Sequence, residues 1–417
     1  MVSYQLAPEQ QDLRDSVAQF ARDVVAPVIG GYYERAEFPY EIVAKMGKLG
    51  LFGLPFPEEY GGMGGDYFAL CLALEELARV DSSVAITLEA GVSLGAMPIY
   101  RYGTEQQRRR WLPELCAGER LAAFGLTEPG GGSDIPGGMR TTARLDEGEA
   151  EWVVNGTKAF ITNAGTSITS LVTVLAITGR DDRGGTEISS VIVPAGTPGF
   201  VPGPKYSKVG WCASDTRELS FDDCRVPAEN LLGERGRGYA QFLRILDEGR
   251  VAIAALATGL AQGCVDECVR YAGQREAFGR RLGQHQAIQF AIADMEARAH
   301  VARLAWYHAA ARLVAGQPIK KEAAIAKLTA SNAAMDNARA ATQVFGGYGF
   351  MNESPVARFY RDAKVLEIGE GTSEVQRMLI ARELGLGSSD QGSSNQGSSK
   401  ASGAQASGAQ AVRGPHG

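Results

Sequence analysis

The chain has 417 residues, 45% apolar and 22% charged, the balance of a protein able to bury a large core. Its 42 basic and 48 acidic side chains leave a formal charge of −6, so it has no global attraction for phosphate backbones and a nucleic-acid partner is not expected. Six cysteines are too few for a disulfide scaffold, and Cys264 and Cys268 have the spacing of helix-face neighbours rather than of a CxxC pair.

The first residues reach Glu9, Asp12 and Asp15 without an apolar run, which predicts neither a secretory nor a mitochondrial leader. The longest uncharged apolar helix candidate, 251–265, is too short to cross a bilayer. A cytoplasmic, bacterial protein without a membrane span is expected. Helical spacing begins at Pro8, with Leu13, Val17, Phe20, Val24 and Val28 on one face. Further helices are predicted over 40–49, 67–80 and 84–100, and Thr104 reads as the N-cap of another over 105–115.

From 121 to 234 the pattern is strand-like. Asn155-Gly156, between Trp152-Val-Val and Ala159-Phe-Ile-Thr162, predicts a hairpin turn. Runs 170–178 and 187–193 are rich in β-branched residues, and Pro194, Pro198, Pro202 and Pro204 then exclude a long helix. Long helices return over 238–274, 284–315, 318–345 and 372–384, which predicts a four-helix bundle. After 387 the chain repeats Gln-Gly-Ser-Ser and Ala-Ser-Gly-Ala-Gln with no apolar surface to bury, so disorder is expected there. The fold class is therefore α+β and multi-domain: an N-terminal helical domain (1–120), a middle β domain (121–235), a C-terminal helical bundle (236–387) and a tail (388–417).

Several motifs lack their context. Gly91-Val-Ser93-Leu-Gly95 matches a hydrolase elbow but lies inside a predicted helix with no strand before it. His285, His300, His308 and His416 form no ligand pattern, and no metal site is expected. Neither Gly346/Gly347/Gly349 nor Gly233/Gly236/Gly238 follows a strand in a βαβ unit, so neither is a dinucleotide fingerprint. Two segments stand out. Phe124-Gly-Leu-Thr-Glu-Pro-Gly-Gly-Gly-Ser133 makes a loop whose N–H groups and hydroxyls can meet a polyanionic or heteroaromatic ligand closely. In Ile368-Gly-Glu370-Gly-Thr-Ser-Glu374, a carboxylate stands between two glycines, ahead of a helix that Thr372 can cap.

These segments, with Asn155-Gly-Thr-Lys-Ala-Phe-Ile-Thr162, Arg275-Glu-Ala-Phe-Gly279, Gln343-Val-Phe-Gly-Gly-Tyr-Gly349 and Tyr360-Arg-Asp-Ala-Lys364, resemble the acyl-CoA dehydrogenase family over about residues 5–386. The resemblance implies FAD between the middle and C-terminal domains, and desaturation of an acyl thioester between Cα and Cβ. It places Phe124, Leu126, Thr127 and Ser133 along the flavin, and Phe160, Ile161 and Thr162 at its ring, with Phe160 where relatives often carry Trp. Arg275, Phe278, Gln286, Gln343, Gly346 and Gly347 match positions that reach the cofactor of a neighbouring subunit, and Thr372 and Glu374 match its last contacts. At least a dimer is implied, and usually a dimer of dimers.

Glu370 matches the catalytic base. Asp247, Arg250 and Ser133 match positions near the thioester, and Gly369 stands where straight-chain members often carry Tyr, which implies a short or branched acyl group. Glu248, one position from where some relatives place their base, is expected on the surface. The leading expectation is an enzyme handing electrons to an electron-transfer flavoprotein. The alternatives are a flavin oxidase or monooxygenase of the same fold using O₂, and a scaffold that has lost catalysis.

Overall fold

Helices α1 (Pro8–Phe20), α2 (Ala26–Glu34), α3 (Tyr40–Lys48), α4 (Tyr67–Ala78), α5 (Ser82–Glu89), α6 (Met97–Tyr102) and α7 (Glu105–Cys116) open the chain in the computed structural model, which describes residues 5–180 and 184–386. The tail after 387, and the disorder expected of it, lie outside the described residues. Thr104 caps α7 as its sequence predicts, accepting from the Gln107 N–H at 3.2 Å.

The expected face of the first helix holds only halfway. Val17 and Phe20 are buried, but Val28 is 46% exposed, and Val25 and Ile29 are sealed instead. A π-helical stretch, Ala21–Val25, joins α1 to α2. Its extra residue per turn advances the inward stripe by one position. A second π-helical stretch, Ala90–Ala96, joins α5 to α6, and here the Gly91/Ser93/Gly95 triplet lies. A Cβ on Gly95 would come within 2.6 Å of the Ala122 carbonyl oxygen, so these glycines seat the helix on the first strand.

Strands β1 (Leu121–Gly125), β2 (Thr142–Asp146), β3 (Glu151–Thr162), β4 (Thr169–Arg180), β5 (Thr186–Pro194), β6 (Phe200–Lys205), β7 (Thr216–Pro227) and β8 (Leu231–Leu232) form one sheet in the order β6-β7-β3-β2-β4-β5-β8, with β1 parallel to β4. The short helix α8 (Ile135–Gly138) lies between β1 and β2. Asn155-Gly156 does not turn the chain, contrary to the hairpin expectation. It sits inside β3, where Gly156 at φ +144° accompanies a slip in register against β7. A Cβ there would meet the Thr141 Cα at 2.6 Å, so the glycine serves close strand packing.

The chain closes with α9 (Gly238–Gln274), the two-residue strands β9 (Glu276–Ala277) and β10 (Arg280–Arg281), α10 (Gln286–Val314), α11 (Lys320–Phe345), α12 (Pro355–Leu366) and α13 (Ser373–Glu383). Helix α12, which contains the Tyr360–Lys364 signature, was not among the predicted helices. Its Asp362 accepts hydrogen bonds from Tyr33 Oη at 2.6 Å, Ser82 Oγ at 2.7 Å and the Trp211 N–H at 2.7 Å, which ties N-terminal helices, sheet and C-terminal helices together. Among the described residues, the runs Ser82–Tyr102 and Gly238–Gln274 are long and apolar enough to cross a membrane, but their apolar 18-residue stretches lie 94% and 89% buried inside the protein.

Candidate active site

Glu370 occupies the turn between α12 and α13 at φ +52°, a left-handed conformation costly for a residue with a Cβ, and Gly371 follows at φ +93°. Thr372 caps α13, its Oγ1 accepting from the Val375 N–H at 3.3 Å. The Gly371 carbonyl accepts from Lys327 Nζ at 2.7 Å and Gln376 Nε2 at 2.8 Å, which holds the turn in place. The Glu370 side chain runs inward against α9. A Cβ on Gly249 would fall 2.2 Å from Glu370 Oε2, so only glycine at that position leaves room for the carboxylate.

Four buried atoms of this pocket have no hydrogen-bond partner: Glu370 Oε2, both carboxyl oxygens of Glu89 and Arg250 Nε. Arg250 pairs through its other end with Asp247 one turn earlier on α9. Burial pushes the Glu370 carboxyl up to about 7, although the neighbouring Glu89 carboxyl and the charges of Lys327 and Arg250 pull it down. Burial and then the Glu370 charge raise Glu89 well above the ordinary carboxylic value. Between the two, Glu89 keeps its proton and Glu370 ionises first. Burial lowers Lys327 to about 8. A carboxyl that exchanges its proton near neutrality, in an enclosed space with an unpaired oxygen, is equipped for general-base chemistry.

The glycine-rich loop leaves β1 nearby. Beneath it Lys158 Nζ donates to Glu128 Oε1 at 2.8 Å and to the Leu126 carbonyl at 3.2 Å. Glu128 also accepts the Arg140 N–H at 2.6 Å and the Thr141 N–H at 3.1 Å. The pair fixes the loop from inside, while Ser133 and Gly130–Gly132 lie toward solvent. Phe124 points away from solvent and stacks on Phe242 of α9, centroids 4.0 Å apart. Phe160 is the opposite: at φ +61° and 67% exposed, it presents its ring beside Tyr206, while Ile161 is buried and Thr162 half-buried.

Arg275, Gly346 and Gly347 line a cleft of about 500 Å³ with Tyr271, Phe345 and Tyr348, and the guanidinium lies 6.0 Å from the Tyr348 ring centre. A Cβ on Gly346 or Gly347 would meet nothing within 4 Å. Phe278 is 96% exposed, and Gln286 and Gln343 are also exposed. These residues therefore gather on an outer face, apart from the enclosed pocket of Glu370, Asp247 and Arg250.

The acyl-CoA dehydrogenase N-terminal, middle and C-terminal domain models match residues 7–119, 123–224 and 236–385. The chain belongs to the acyl-CoA dehydrogenase family. It is 46% identical over 92% of its length to the whole of the probable acyl-CoA dehydrogenase YngJ of Bacillus subtilis. It is 42% identical, over 92% of its length, to the whole short-chain specific acyl-CoA dehydrogenase of Clostridium acetobutylicum. Butyryl-CoA dehydrogenase from Megasphaera elsdenii superposes with a TM-score of 0.88 at 41% identity, covering 92% of this chain and 100% of that one. A chain solved in work on the electron transferring flavoprotein of Acidaminococcus fermentans gives the same score and identity over 92% and 99%.

At the site of this flavoprotein oxidoreductase, one residue departs from its sequence reading. Glu248 is not on the surface: it is 3% exposed and accepts from Arg101 Nη2 at 3.1 Å. Its partner lies 147 positions away, beyond any local pattern. Sequence reading also passed over Glu89 and Lys327. Each had a local signal, a lone charge in a run otherwise made of small and apolar residues: Val84-Ala-Ile-Thr-Leu-Glu89-Ala-Gly and Ala323-Ala-Ile-Ala-Lys327-Leu.

Proposed function

We propose that this acyl-CoA dehydrogenase uses FAD to desaturate a short or branched acyl-CoA to its trans-2-enoyl product and hands the electrons to an electron-transfer flavoprotein. The observation that carries the reading is the Glu370 carboxyl: enclosed, lacking a partner at Oε2, and held near 7. A thioester α-proton is only weakly acidic, so a base that is ionised just above neutrality, yet desolvated, suits its removal.

The residues present fit FAD. Phe160 offers an exposed aromatic face to a flat ring, Thr127 and Ser133 offer hydroxyls, and the open Gly346–Gly347 backbone beside Arg275 suits a pyrophosphate. Bound there, FAD supplies the acceptor for the hydride that leaves Cβ. Thr372 and Glu374 sit at the start of α13 on the same turn as the base. In this reading the chain divides near 120 and 235 into three domains, and the outer face carrying Arg275, Phe278, Gln286 and Gln343 completes the cofactor site of a second subunit in a dimer of dimers. Glu370 takes the α-proton onto its unpartnered oxygen. Asp247 and Arg250 border the thioester end, and the enclosed pocket keeps water from the carboxylate.

The substrate class rests on Gly369, where an added Cβ would touch only the Val365 carbonyl oxygen at 3.5 Å, so space lies open before the base. The names of the short-chain relatives point the same way. Anaerobic bleaching of the bound flavin against a panel of acyl-CoAs tests the reading. Butyryl-, isobutyryl- and 2-methylbutyryl-CoA should bleach it fastest, and faster bleaching by octanoyl-CoA would overturn the substrate class. Release of peroxide in air at the rate of turnover would replace the electron-transfer partner by O₂.

A further inference from the structure

Lys327 lies about two turns into α11 with none of its surface exposed. A buried ammonium normally sits on a carboxylate, because desolvating the charge without a counter-ion is costly. Among the described residues, Lys327 has no carboxylate within ion-pair distance; its hydrogen bond goes to a neutral acceptor, the Gly371 carbonyl, at 2.7 Å. An apolar side chain would fill this place more cheaply, and Gln376 Nε2 already satisfies the same carbonyl at 2.8 Å. What the ammonium adds is charge directly behind the turn that carries Glu370. One turn further along α11, Ser331 Oγ donates to the Leu366 carbonyl at 2.8 Å, so the same helix face grips the end of α12 as well.

We propose that Lys327 is a positioning residue for the dehydrogenation: it holds the left-handed turn that aims Glu370 and supplies the positive charge against which the Glu370 carboxylate forms. The inference rests on Glu370 being the base. The groups facing that carboxyl are Glu89 at the end of α5, with Ser93 beside it on the π-helical stretch, Arg250 backed by Asp247 on α9, and Lys327 on α11, with Glu367 and Glu374 facing Lys327 from the loop and α13. Glu89 is neutral while it keeps its proton, and the Arg250 charge is shared with Asp247. Lys327 is therefore the cation not engaged by another carboxylate, and its charge is directed to Glu370.

The test compares Lys327→Met, which removes charge and hydrogen bond, with Lys327→Gln, which removes the charge but keeps a donor. Both should bind flavin, and both should move the acid limb of kcat against pH upward by about one unit or more, the usual effect of a nearby opposite charge. At neutral pH kcat should fall about tenfold with KM changed less than about twofold, since the substrate is not touched. Only the Met variant should also lose rate on the alkaline plateau, where the turn is less firmly held. If Met does not fold, the Gln variant carries the test alone. An acid limb unmoved in the folded variants, with Glu370→Gln inactive, overturns the role of Lys327 and leaves the base standing. Normal turnover by Glu370→Gln overturns both.

Discussion

Among the described residues two lysines, Lys158 and Lys327, are fully enclosed, and their surroundings differ. Lys158, under the glycine-rich loop, has Glu128 at 2.8 Å, and Glu128 is held in turn by two backbone N–H groups. Burial alone would raise Glu128, but these partners keep it below the ordinary carboxylic value. Charge, counter-charge and hydrogen bonds close on one another, and nothing is left for a ligand. Around Lys327 the accounts do not close. Its hydrogen bond ends on a carbonyl, Glu89 and Glu370 share a space too small for two charges, and Arg250 keeps an idle Nε. A fold that can pair a buried lysine fully, as at Lys158, leaves the other cluster unsatisfied where the chemistry is proposed. The first region supports; the second reacts.

The comparison is broken most severely at the base. Glu370→Gln should keep the flavin and the fold but lose at least about a hundredfold in turnover, the scale of general-base catalysis. Near-normal turnover, measured with an artificial electron acceptor, would deny the reactive role of the unsatisfied cluster.

The stability of the two lysine variants sharpens it next. Lys158→Met strands a buried Glu128 and should cost about 3–5 kcal/mol, with the flavin released more readily because the loop loses its anchor. Lys327→Met should be neutral or stabilising. Its depressed value near 8, against 10.5 when unfolded, means the folded state holds the proton less well. The cost of the ammonium is present in full below pH 8 and fades as the pH rises toward 10.5, so the gain in Tm should be larger at neutral than at alkaline pH. Equal losses in both variants would erase the distinction.

Gly369→Tyr fills the space in front of the base. It should penalise isobutyryl-CoA more than butyryl-CoA by roughly five- to hundredfold in kcat/KM, the range of about 1–3 kcal/mol for overpacking. Equal loss on both substrates would show that Gly369 does not govern branching. The smallest effect belongs to Glu89→Gln. A carboxyl raised on folding contributes stability at low pH that is lost as the pH climbs through its folded value. The variant should therefore melt on the order of 1–2 °C above the parent at pH 8 and show no difference below the unfolded value near 4.5. A gain that is the same at both pH values would mean that Glu89 is not the strained carboxyl described.

Much of this was legible before the structure because local rules suffice for it. The Thr104 and Thr372 caps, the β-branched runs of β4 and β5, and Glu370 between two glycines each carry their signal within a few residues. The failures share a different cause. Val28 was placed inward because a 3.6-residue period was carried through a segment that adds a π turn. Asn155-Gly156 has turn chemistry, yet its glycine is used for contact with Thr141 rather than for reversal. Glu248 is buried by a partner on α6, and helix propensity says nothing about such a pairing. Glu89 and Lys327 acquire their meaning only when α5, α9 and α11 converge on Glu370.

The central claim is that burial among unsatisfied charges poises Glu370 near neutrality. The pH dependence of anaerobic flavin bleaching by butyryl-CoA, followed over about pH 5 to 9, reads it directly. The account predicts a bleaching rate that falls tenfold per unit below an acid limb at about 7, with no such limb in the slow residual bleaching of Glu370→Gln. A limb at the ordinary glutamate value, or one that persists in Glu370→Gln, would contradict it.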